Sequence, residues 1–229
     1  MVITNKLYIV PTPIGNLEDI TFRAIRILKE VNFILSENTR TTNFLLKHFN
    51  IKNKIQSYHK FNEHKTVNKI VLQIKLGNNA ALVSEAGTPC ISDPGFLLIK
   101  KCIQQKIKIE CLPGSTAFIP ALINSGLPTD HFCFEGFLPN KKGRQTKFKE
   151  LENEIRTTII YESPFRILKT LKQLATYLGE ERMASVSREI SKLYEETIRG
   201  TLKNLILHFT INKPKGELIL IVGGKYCKK

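Results

Sequence analysis

Ala80-Ala81-Leu82-Val83-Ser84-Glu85-Ala86-Gly87-Thr88-Pro89-Cys90-Ile91-Ser92-Asp93-Pro94-Gly95 is the stretch that sets the fold class. A short apolar run, Ala80 to Val83, reads as a buried strand, and helical periodicity resumes from Phe96 to Lys106. Between them lies a loop in which Gly87 and Gly95 let a ligand approach the main chain, while Pro89 and Pro94 pre-set turns. Asp93 ahead of Pro94 reads as a helix N-cap followed by a first-turn proline. In open α/β sheets ligands bind beyond the carboxyl ends of the strands, so this strand-to-helix loop is a candidate ligand site.

The same alternation extends in both directions. Leu7–Val10 reads as a strand ended by Pro11-Thr12-Pro13-Ile14-Gly15-Asn16, with Asp19 as N-cap of the helix that follows. Phe33-Ile34-Leu35 is a second strand, followed by Ser36-Glu37-Asn38-Thr39-Arg40 and a helix carrying Phe44, Leu45 and Phe49. A further helix carries Val67, Ile70, Val71 and Ile74, and a strand covers Ile107–Leu112. This order predicts a mostly parallel sheet covered by helices. Pro113-Gly114-Ser115 breaks the pattern, and Ser115 reads as the N-cap of a helix to about Asn124. The second half has strands at Phe132–Phe134, Thr157–Tyr161, Met183–Ser187, Leu193–Arg199 and Glu217–Val222. Its helices run from about Arg144 to Ile155, from a Ser163-Pro164 opening to Gly179, and over Leu202–Phe209. The later strands are closely spaced and suit antiparallel pairing. The expected organisation is therefore two α/β domains, 1–114 and 115–229, the second with a mixed sheet.

Apolar residues make up 42% of the 229-residue chain, enough for a packed core. The apolar runs are too short for a membrane span, and no charged-then-apolar leader opens the chain, so the expectation is a cytoplasmic protein. The five cysteines form no C-x-x-C pair and the histidines show no ligand spacing, so neither a disulfide framework nor a metal site is expected. The net charge of +15 favours an anionic partner such as nucleic acid. The run Lys141-Lys142-Gly143-Arg144 offers cations around a flexible glycine, suited to contacting RNA phosphates. Dinucleotide, P-loop and nucleophile-elbow signatures are absent. Loops rich in Pro, Gly, Ser and Thr remain, and these suit an enzyme that positions an already activated cosubstrate.

Leu7–Thr21, Ser36–Thr41, Ser84–Gly95, Leu112–Ser115, Ser125–Pro139, Tyr161–Arg166 and Ser187–Gly200 together resemble one family. It is the small-subunit ribosomal RNA methyltransferase I group of the tetrapyrrole-methylase-like superfamily. The resemblance implies two α/β domains with a cosubstrate cleft between them, S-adenosylmethionine as methyl donor, and a homodimer. It implies 2′-O-methylation of a cytidine ribose in the decoding region of 16S rRNA within the small ribosomal subunit. It also implies cosubstrate contacts at Pro13, Ser84, Glu85, Ala86, Gly87, Ile91, Asp93, Ser115, Thr116, Ala117, Tyr161, Arg188, Pro214 and Lys215. Glu37 and Arg40, in the loop of the second βα unit, are its catalytic candidates, with Arg23 and Glu135 as further ones.

The chain departs from the family pattern at Asn38 and Glu85, where Asp is usual, and at Phe165, where His is usual. Asn38 has no carboxylate to act as a base. Many members also continue past the position of Lys229 into a small extra domain. Two other readings stay open on sequence alone: a tetrapyrrole (precorrin-like) methyltransferase, and a non-catalytic RNA-binding relative.

Overall fold

In the computed structural model, which describes residues 5–227, the apolar runs of the first half become the middle of a parallel sheet. β2 (Phe33–Ser36) and β4 (Ala80–Val83) are buried at every position, and β1 (Lys6–Ile9) lies beside β4. β3 (Ile55–Ser57) and β5 (Lys108–Cys111) are more polar and form the two edges, giving the order β3-β2-β4-β1-β5 with every pairing parallel. Both faces of such a sheet must be covered. α1 (Phe22–Glu30) and α2 (Thr39–His48) pack Ala24, Ile27, Leu28 and Leu46 against Ile34, Ala81 and Val83. α3 (Glu63–Lys75) and α4 (Phe96–Gln104) pack Val67, Ile70, Ile74 and Leu98 against Leu7, Leu35 and Leu82 on the other face. These elements form one compact unit ending at Thr116.

A second unit begins at Ala117. Its sheet is mixed, in the order β6 (Phe132–Phe137), β7 (Thr157–Glu162), β10 (Leu218–Val222), β8 (Met183–Arg188), β9 (Glu196–Thr201). Only the β6–β7 pairing is parallel among these. α6 (Arg144–Glu152), α7 (Ile167–Leu178) and α8 (Leu202–Ile211) bury Phe148, Leu171, Leu174 and Leu205 against Ile160, Val186 and Leu220. α5 (Phe118–Ser125) packs against β8, β9 and β10, and the Arg199 guanidinium donates to the carbonyl of Asn124 near its C-terminus at 2.6 Å.

Several expected caps do not form. Asp19 closes a short 3-10 turn, Leu17–Asp19, and Thr21 caps α1 by accepting from the Ala24 N–H at 3.0 Å. Ser115 donates to the Asp19 carbonyl instead of capping α5, whose N-cap position is Ala117. Ser163 and Pro164 form a turn, and α7 starts only at Ile167. β3 was absent from the sequence expectation because Ile55-Gln56-Ser57 carries no apolar run.

Candidate active site

In the first unit, the connection from β1 runs toward β2 and the connection from β4 runs the opposite way, to β5. β1 and β4 are neighbours, so the sheet's topological switch point lies between them. The loops that leave these two strands are hydrogen-bonded to each other. The Thr12 N–H donates to the Gly87 carbonyl at 2.9 Å, and the Gly87 N–H donates to the Thr12 carbonyl at 3.0 Å. Gly87 has φ +79°, and a Cβ there would lie 3.2 Å from Ile14 Cγ2, beside half-buried Pro13. The Ser84 hydroxyl is buried and donates toward the carbonyls of Ala86 and Gly87 at 3.2 and 3.3 Å. Thr12 Oγ1 is buried at this junction with no partner.

The rest of the loop is held in conformations that side chains seldom adopt. Cys90 has φ +72° and Ser92 φ +68°, and Gly95 has φ +140°. Such outliers persist only where surrounding contacts over-determine them, and they concentrate at functional sites. Here Thr88 Oγ1 donates to the Ser115 carbonyl at 3.0 Å and lies 2.7 Å from Thr116 Oγ1, which ties the loop to the segment after β5. Gly95, not Asp93, occupies the N-cap position of α4. Asp93 is thereby released from the capping role read from the sequence, and Ile91 lies half-buried before it.

Carboxylates gather around this loop. Asn38 caps α2 by accepting from the N–H groups of Arg40 and Thr41 at 3.1 and 3.4 Å. Its amide donates to Glu85 Oε1 at 3.1 Å, and Thr41 Oγ1 reaches the same oxygen at 3.2 Å. Burial pushes the Asp93 carboxyl up to about 6, the nearby Glu37 and Glu85 add to the rise, and a hydrogen bond from Ser84 offsets part of it. Glu37 is raised as well, first by burial and then by Glu85. Burial and Asp93 push the Cys90 thiol up to about 12, so it is inert. Arg40 is exposed on the first turn of α2.

The candidates of the second unit divide between the two faces of its sheet. Tyr161 meets the rings of Phe134 and Phe137 at 5.1 and 5.5 Å. Arg188 lies one register row away, on the opposite face, and pairs with Glu196 at 3.0 Å. The turn holding Pro214 and Lys215 ends at Gly216, against Glu189. Lys141 and Lys142 are exposed. Arg144 is only 6% exposed and is not placed to meet RNA. Its guanidinium donates to Gln173 Oε1 at 2.9 Å, the Pro139 carbonyl at 3.0 Å and Thr170 Oγ1 at 2.8 Å. Among the described residues no group of three or more His, Cys, Asp or Glu could hold a metal ion.

The family described as Tetrapyrrole (Corrin/Porphyrin) Methylases matches residues 6–206. The chain is 49% identical over 219 residues to a ribosomal RNA small subunit methyltransferase I of Synechocystis, covering 95% of this chain and 78% of that protein. The chain belongs to the ribosomal RNA small subunit methyltransferase I family. Another member, from Thermotoga maritima, is 43% identical and is covered over 99% of its length, with 96% of this chain. Among solved structures, diphthine synthase superposes with a TM-score of 0.75 at 12% identity, covering 97% of this chain and 91% of that one, which shows the shared fold. Membership makes this chain a methyltransferase with S-adenosylmethionine as methyl donor.

Thr12 and Thr41 shape the site and lie inside the runs Leu7–Thr21 and Ser36–Thr41, but are not among the expected site residues. Asn38 reads in the sequence only as a departure from Asp; its cap on α2 and its bond to Glu85, 47 residues away, come from the structure.

Proposed function

We propose that this chain methylates the ribose 2′-hydroxyl of a cytidine in the decoding region of 16S rRNA, acting on the small ribosomal subunit as a cytoplasmic homodimer. The observation that carries this reading is 49% identity to a small-subunit rRNA methyltransferase over 95% of the chain. The net charge of +15 supports a polyanionic substrate.

The switch-point residues suit S-adenosylmethionine. The unpartnered Thr12 hydroxyl offers a hydrogen bond, Gly87 leaves open the space a Cβ would fill, and nearby carboxylates suit a cationic ligand. Held there, S-adenosylmethionine would supply a methyl group activated on its sulfonium for transfer from sulfur to the ribose oxygen. Pro13, Ser84, Glu85, Ala86, Gly87, Ile91, Asp93, Ser115 and Thr116 are proposed to hold it from the first unit.

The ribose hydroxyl must lose its proton during the transfer. Asp93, raised to about 6, is the proposed acceptor: at neutral pH it is mostly ionised yet more basic than an ordinary carboxylate. Glu37 keeps that basicity high by its charge, and exposed Arg40 is proposed to meet a substrate phosphate. The test is calorimetric titration with S-adenosylmethionine, followed by transfer of a labelled methyl group to immature small subunits. Transfer to a precorrin but not to the subunits would replace this reading.

A further inference from the structure

We propose that Phe165, on a turn tied to the loop that carries Lys141 and Lys142, is a platform on which an unpaired base of the substrate RNA stacks; this rests on reading the chain as an RNA methyltransferase. Phe165 is 96% exposed, and its backbone is pre-set. Pro164 fixes the chain direction, the Arg166 N–H donates to the Ser163 carbonyl at 2.9 Å, and the Phe165 N–H reaches Ser163 Oγ at 3.3 Å. A ring displayed on a locked turn loses little further freedom when a base covers it.

The basic loop is tied to this turn. Arg166 donates to the Leu138 carbonyl at 2.9 Å and to the Asn140 side chain, and it pairs with Glu162 at 3.2 Å. Arg144 holds the Pro139 carbonyl from the other end of the loop. Lys141 therefore follows a residue bonded to the neighbour of Phe165. Lys141 and Lys142 have no ion-pair partner among the described residues, whereas Lys147 is neutralised by Glu135 at 3.1 Å and Glu150 at 2.7 Å. A single exposed ring on a turn tied to a basic loop is poor ground for an apolar protein partner. It suits a single strand of RNA, which offers a π-face to the ring and phosphates to the lysines.

The test is the affinity of the full chain for a fluorescein-labelled unstructured RNA oligonucleotide, read by anisotropy across a salt series. Phe165→Ala and Phe165→Leu should each weaken binding about tenfold, with Phe165→Trp restoring it. Replacing both Lys141 and Lys142 with Gln should lower the salt slope by about 1.4. Wild-type affinity in both the Ala and Leu variants would overturn the proposal. So would a change of oligomeric state in sedimentation with RNA affinity unchanged, because the ring would then be a protein contact. Methyl transfer by the wild type to small subunits, run in parallel, reports on the enzyme reading alone. Its failure beside the expected affinity losses would sink that reading and leave the platform supported.

Discussion

Asp93 concentrates the chemistry proposed for this chain. Asp93→Asn should lower kcat by roughly 10²- to 10⁴-fold, as expected on losing a general base, and should also weaken S-adenosylmethionine binding, because Asp93 is among the residues proposed to hold it. In the wild type the rate should rise through about pH 6 as Asp93 ionises. Glu37→Gln removes a charge that raises the Asp93 pKa, so the pH–rate limb should move to lower pH. Stability runs in the opposite sense to activity. The folded chain holds this proton more firmly than the ordinary value of 3.8 allows, so the stabilising contribution is complete below that value and lost as pH rises through about 6. Asp93→Asn should therefore melt higher than wild type at neutral pH, by roughly 1 kcal/mol once solvent screening is allowed for, in thermal denaturation. A lower melting temperature for the Asn variant would show that the carboxylate holds the loop together.

At the scale of elements, the loop between β4 and α4 depends on a glycine where no side chain fits. A Cβ at Gly95 would collide with Cys90 Sγ and lie 2.9 Å from Leu82 Cδ2, at φ +140°. Gly95→Ala should cost about 1–3 kcal/mol in urea unfolding and depress activity more than a comparable change on an exposed helix face. In the second unit, Thr170 Oγ1 donates to buried Glu162 at 2.6 Å and accepts from Arg144 at 2.8 Å. Thr170→Val should cost about 1–3 kcal/mol, because two buried charged groups lose a partner together. The βα alternation, the parallel first sheet and the mixed second sheet were legible because continuous apolar runs mark strands buried on both faces. The helix starts were not. Asp93, Ser115 and Ser163 have cap chemistry, but the conformations at Cys90, Ser92 and Gly95 and the bonds of Thr88 to Ser115 and Thr116 are tertiary. The basic run at 141–144 likewise gave no sign that Arg144 is buried, because its partners Thr170 and Gln173 lie 26 and 29 residues away.

At the scale of the whole molecule, the chain joins a net charge of +15 to a strand-end loop surrounded by carboxylates. The positive surface draws in a polyanion, while the carboxylates suit a cationic donor and can take up a proton. Binding to small subunits should weaken steeply with salt, with methyl transfer following it. The departures at Asn38 and Glu85 leave carboxylates around the loop: Glu85 accepts from the Asn38 amide, and Glu37 and Asp93 are the two proposed for the chemistry. Mass spectrometry of 16S rRNA from cells with and without this gene reads the proposed methylation itself. A cytidine in the decoding region should carry a 2′-O-methyl group, lose it when the gene is deleted and regain it when the gene is returned. An unchanged methylation pattern after deletion would contradict the proposed activity.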